Sequence, residues 1–109
     1  MEQQMNNYVT MSQHFYMERM SREAVIQMIG EGRPIREIIV DRHHKDGPER
    51  HVLTDNAIIL IYNQRTNKLV TKLIARPGQL RKFYNRESEI PLYLKNKAMK
   101  HQRSGYNLV

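Results

Sequence analysis

The sequence predicts an α+β fold, and three features predict it. Two segments, Gln13–Met20 and Ser21–Ile29, carry apolar side chains at helical spacing. Four runs between Ile35 and Arg76 are rich in Ile, Val and Leu and are bounded by turn residues. The helical segments precede the strand-like ones, so the order reads α-α-β-β-β-β-α once a short helix after Pro77 is added. At 109 residues with 39% apolar side chains, the chain supports one domain around one core. That core is expected over about residues 12–84, with 85–109 as a basic C-terminal extension.

Each element has a local reason. Met1–Thr10 is polar and lacks periodicity, which predicts a frayed lead-in. Ser12 can cap a helix over Gln13–Met20 whose Phe15 faces inward. Ser21 caps a second helix, with Glu23 in the first turn, where the helix dipole favours an acid, and Val25, Met28 and Ile29 on one face. Gly30 and Gly32 stop it, and Pro34 biases Arg33 towards extended geometry before a first strand, Ile35–Arg42.

The loop His43–Glu49 contains Asp46-Gly47, a reversal signal, and leads into a short strand, His51–Thr54. Asp55-Asn56 then makes a tight turn. Ala57–Tyr62 is continuously apolar, as a central strand covered on both faces must be. Asn63–Asn67 is a polar turn into a last strand, Lys68–Arg76. Pro77-Gly78 ends that strand, and Leu80, Phe83 and Tyr84 mark a short amphipathic helix. Ser88–Pro91 opens a final helix with Ile90, Leu94 and Ala98 on one side, leading into the cationic residues Lys95, Lys97, Lys100, His101 and Arg103.

The charge is uneven. The chain has 18 basic and 11 acidic residues, a net charge of +7 and a pI of about 9.9, which favours a polyanionic partner. Residues 1–55 hold nine of the acids against seven bases, whereas 56–109 hold two acids against eleven bases. The absence of cysteine excludes disulfides and thiolate chemistry and suits a reducing compartment. No apolar run approaches the ~20 residues that span a bilayer, and Met1–Asn7 does not resemble a signal peptide, so a cytoplasmic location is expected.

Arg50 and the acid-free interval Asn56–Arg86 hold the candidate nucleic-acid contacts: Arg50, Arg65, Lys68, Lys72, Arg81, Lys82 and Arg86, interleaved with Tyr62, Phe83 and Tyr84. Cations neutralise phosphates and aromatic faces stack on unpaired bases, so the pattern suits RNA or single strands. The five histidines show neither HxxxH nor HExxH spacing, and neither a metal nor a cofactor is expected. Metal-free RNA cleavage needs only a base, an acid and cations around the phosphate. His14, Arg19, His51, Thr71, Arg76 and Tyr84 are the candidates for these roles. Arg19 lies about 140° round a helix from His14, so the two share a site only if that helix ends or bends.

Ser12-x-His14 with Arg19, a second helix ending in Gly30-Glu31-Gly32, and hairpins ending in Asn67-Lys68-Leu69-Val70-Thr71 together resemble the RelE/BrnT-like superfamily of small toxins over about residues 12–84. The resemblance implies two N-terminal helices packed on a four-stranded antiparallel sheet, here followed by a short helix and a basic C-terminal helix or tail. It also implies metal-independent endoribonuclease activity, frequently countered by a protein antitoxin, carried by His14, Arg19 and Thr71 with Arg76 and Tyr84. The arginine that usually stands four residues after the histidine is Glu18 here. Two readings compete with catalysis: a non-enzymatic nucleic-acid-binding protein of phage or mobile-element origin, and a basic protein that grips an acidic protein partner such as a host enzyme.

Overall fold

The computed structural model describes residues 20–41 and 45–108. Helix α1, Arg22–Ile29, begins where the sequence placed its cap: Ser21 is extended, and its Oγ accepts a hydrogen bond from the Ala24 amide at 3.1 Å. Gly30, at φ 92°, closes the helix by donating to the Ile26 carbonyl at 2.8 Å. Eight residues make a marginal helix alone. Burial of Val25 and Ile26 against Val52, Ile58, Leu60 and Ile74 holds it in place.

Strands β1 (Pro34–Val40), β2 (Glu49–Thr54), β3 (Ile58–Asn63) and β4 (Leu69–Ile74) form an antiparallel meander in chain order. Pro34, which cannot donate to a ladder, opens an edge strand, where that deficit is harmless. As the sequence predicted for Ala57–Tyr62, β3 is central, and Ile58–Ile61 are all buried. The register aligns Val52, Leu60 and Lys72 in one row and Leu53, Ile59 and Leu73 in the next. Successive rows face opposite sides of the sheet, so it needs two covers.

The second cover corrects the predicted architecture. Two N-terminal helices on the sheet is not the arrangement found. Among the described residues one helix precedes the strands, and a longer one, α2 (Leu92–Arg103), follows them. The helix expected over Gln13–Met20 falls almost wholly outside the described residues. Leu53, Ile59 and Ile61 are covered instead by Leu80, Phe83 and Tyr84, and then by Ile90, Leu94 and Ala98. Spacings of four and three residues put Leu94, Ala98 and His101 on one buried stripe of α2, leaving its lysines outside.

Pro77–Phe83 is a 3-10 helix rather than an α-helix. Three residues per turn stack Leu80 directly under Phe83, and both are buried. Gln79 ties its start, with Oε1 accepting from the Arg76 amide at 2.8 Å.

The turn between β2 and β3 joins the layers. Thr54 Oγ1 donates to the Glu31 carbonyl at 2.6 Å and accepts from the amides of Asn56 and Ile58. Gly32, at φ 85°, lies against this turn, where a Cβ would fall 2.6 Å from Asp55 Oδ1. Asn56 reaches outward in two directions. Its Nδ2 donates to the Ile29 and Gly30 carbonyls that end α1, and its Oδ1 and backbone carbonyl accept from Lys97 and His101 of α2.

Candidate nucleic-acid interface

Among the described residues, none of the predicted catalytic residues His51, Thr71 and Tyr84 lines the pocket that Arg76 lines. His14 and Arg19 lie outside the described residues, as do His43 and His44. His51 is 3% exposed on β2 and held on both ring nitrogens, Nδ1 at 2.9 Å from Lys82 Nζ and Nε2 at 3.1 Å from Glu49 Oε1. An ammonium can only donate, so Nδ1 accepts and Nε2–H donates to the carboxylate. That bonding pins the 3-10 helix to the sheet. Thr71 shares a row with His51 but stands two strands away across Ile61, about 10 Å at ordinary strand spacing. Tyr84 is buried, with the Arg36 guanidinium 4.3 Å over its ring.

Much of the predicted basic stripe is committed to internal bonds. Arg50 donates to Gln64 Oε1 and to Asn67 Oδ1, the latter at 2.6 Å, and its guanidinium lies 4.8 Å over the Tyr62 ring. Lys72 pairs with Glu31 at 2.8 Å, Arg81 donates to the Tyr84 carbonyl, and Lys82 bonds His51. The Arg65 guanidinium occupies the space beside Gly47, where a Cβ would lie 2.7 Å from its Nε. Lys68, Arg76 and Arg86 are exposed, but only Arg76 lines a pocket described below.

The better site flanks α1. A pocket of about 150 Å³ at its N-terminal end is lined by Arg22, Arg76, Gln79, Tyr106 and Asn107. Arg22 Nη1 donates to the Lys72 carbonyl at 3.3 Å, which holds the guanidinium at the rim. A pocket of about 490 Å³ at the other end of the helix is lined by Ile29, Asn56, Tyr93, Lys97, Lys100 and His101. Tyr106 lines both. Two cation-bearing recesses thus share one aromatic ring along a helix about 12 Å long.

A lining residue of each recess also carries a buried acceptor without a hydrogen-bond partner among the described residues: Asn107 Oδ1 in the smaller and His101 Nδ1 in the larger. His101 is 4% exposed, and its Nε2–H donates to the Asn56 carbonyl at 2.8 Å, which leaves Nδ1 as the bare lone pair. Burial pushes its pKa below the usual 6.5, Lys97 and Lys100 push the same way, and the Asn56 hydrogen bond opposes them. The imidazole is therefore neutral at physiological pH. Tyr93, 47% exposed, adds an aromatic face, and its phenol is shifted upward by burial and by Tyr84 and Asp55.

None of the residues of this larger pocket stood among the predicted contacts. The signal was present in the acid-free run of Lys95, Lys97, Lys100, His101 and Arg103. What linear reading lacked was the pairing of that run with Asn56, some 45 residues earlier. Among the described residues no group of three or more His, Asp or Glu could hold a metal, and no helix is long and apolar enough to cross a membrane. Comparison with known proteins finds no matching family model, no curated relative and no solved structure of the same kind, so the resemblance to RelE/BrnT-like toxins rests on its short motifs alone.

Proposed function

We propose that the protein is a non-enzymatic, cytoplasmic nucleic-acid-binding protein that holds a single strand along the flank of α1. The observation that carries this reading is the pair of basic recesses at the two ends of that helix, joined by Tyr106. Arg22 and Arg76 take one phosphate, Lys97 and Lys100 another, and Tyr93 and Tyr106 present the ring faces on which unpaired bases stack. Catalysis is the weaker reading, because His51 has both nitrogens occupied and Thr71 stands two strands away from it.

Titration of a labelled single strand against increasing salt tests the proposal. Binding should weaken steeply with salt, and Lys97→Gln with Lys100→Gln should reduce the log–log slope by about 0.7, the share of the one phosphate they hold. Affinity indifferent to both salt and substitution would sink it. The same strand made of RNA and incubated in EDTA examines the endoribonuclease alternative: metal-free cleavage that His14→Ala abolishes would replace binding with catalysis. Retention of one stoichiometric acidic protein, with no affinity for nucleic acid, would favour the protein-partner reading.

A further inference from the structure

We infer that the larger recess is a nucleobase pocket: one unpaired base enters it and donates an N–H to His101 Nδ1, while Lys97 and Lys100 hold the adjoining phosphate. This rests on the strand-binding reading and names what its larger recess recognises. Size separates the two recesses. About 490 Å³ falls within the range of small-molecule sites, roughly 300–1,000 Å³, and about 150 Å³ falls below it.

Chemistry agrees with size. A buried acceptor without a donor is destabilising, so native structures rarely keep one unless something fills it. His101 is held in the one tautomer that leaves Nδ1 open, because Nε2–H is spent on the Asn56 carbonyl. Asn56 also positions Lys97, whose Nζ donates to its Oδ1 at 3.1 Å. One turn residue thereby orients both the acceptor for a base and a cation for its phosphate. Each nucleobase carries an N–H donor on its Watson–Crick edge, so this contact alone selects for the presence of a base rather than for its identity.

Nδ1 is shut off from solvent, and the Tyr106 ring centroid stands 5.8 Å from that of the imidazole. A base reaching Nδ1 therefore requires a covering side chain to shift, and Tyr106, in a single 3-10 turn, Tyr106–Leu108, lines the pocket beside the imidazole. Its ring offers a face for stacking.

The experiment compares a labelled oligonucleotide of about 12 residues with an abasic oligomer of equal length. It also follows the ¹⁵N resonance of His101 Nδ1 in the full chain on addition of AMP or inorganic phosphate. The base-bearing strand should bind about tenfold more tightly than the abasic one. His101→Gln should narrow that margin by weakening the base-bearing oligomer more than the abasic one. Lys100→Gln, on an exposed side chain, should weaken both oligomers alike. AMP should move the Nδ1 resonance and phosphate should not, a readout that needs no variant to fold. Equal affinity for the two oligomers, or a His101→Gln variant that weakens both equally, overturns the base pocket while leaving strand binding intact. An Nδ1 resonance moved by AMP with neither oligomer bound keeps the pocket and discards the strand; silence in every arm discards both.

Discussion

His51 and His101 are almost equally buried, at 3% and 4% exposure, and both anchor an element to the central sheet, yet their hydrogen bonding differs. His51 is saturated: Lys82 donates to one nitrogen and Glu49 accepts from the other. His101 spends one nitrogen on the Asn56 carbonyl and leaves the other bare beside a basic recess. Burial therefore does not decide whether a histidine is a fastener or a recognition group. The residual bonding capacity does: His51, one of two histidines the sequence offered as catalytic, is a fastener, and His101, in the predicted basic tail, has a nitrogen to spare.

The largest expected effect lies with the saturated residue. His51→Ala removes a buried ring from the packed sheet face together with its bonds to Lys82 and Glu49, so it should cost about 3 kcal/mol in urea unfolding. Strand affinity per folded molecule should not change. A loss below ~0.5 kcal/mol would mean that His51 is not the fastener its bonding suggests.

Asn56→Ala comes next, at about 1.5 kcal/mol, because it frees two carbonyls at the end of α1 and the Lys97 ammonium, all close enough to solvent to be rehydrated. Unlike His51→Ala, it should also lower strand affinity and the response of the His101 resonance to AMP. A variant that lost stability but bound normally would separate Asn56 from the recess.

The smallest effect is a pH dependence. The pKa of His101 is depressed in the folded state, so below the usual 6.5 the unfolded chain takes up a proton that the folded chain resists. Stability from this group is complete above that value and is lost as pH falls through it towards the lower folded pKa. His101→Gln should remove that share of the acid-side loss between about pH 8 and about pH 5, measured as the shift in urea midpoint. An identical pH profile in the variant would show that the imidazole is not held neutral by burial.

Legibility in the sequence followed distance along the chain. Ser21 as a cap, the Asp55-Asn56 turn and the apolar run of β3 were readable because their causes lie within a few residues. All four strands fall within two residues of the predicted bounds. The stripe of Ile90, Leu94 and Ala98 was readable in the last helix, but its role as cover for the second sheet face was not, because its partners Leu53 and Ile59 lie far away along the chain. Lys72 looked free in the sequence, yet its partner Glu31 stands 41 residues earlier; Lys82 likewise meets His51 across 31 residues. The basic face dissolved because those pairings are products of folding, invisible to composition.

The strand order has a kinetic consequence. Each strand pairs with its sequence neighbour, so the sheet closes short loops and forms early at small entropic cost. Helix α2 must instead find Asn56 across some 41 to 45 residues. The recess is thus completed only when α2 docks on the turn between β2 and β3. Native-state hydrogen exchange should report this, with α2 amides opening at lower free energy than those of β2 and β3. Equal values would make helix and sheet one cooperative unit. If the order holds, an occupant of the recess will be felt mainly as slower opening of α2, coupling ligand occupancy to the lifetime of the C-terminal helix.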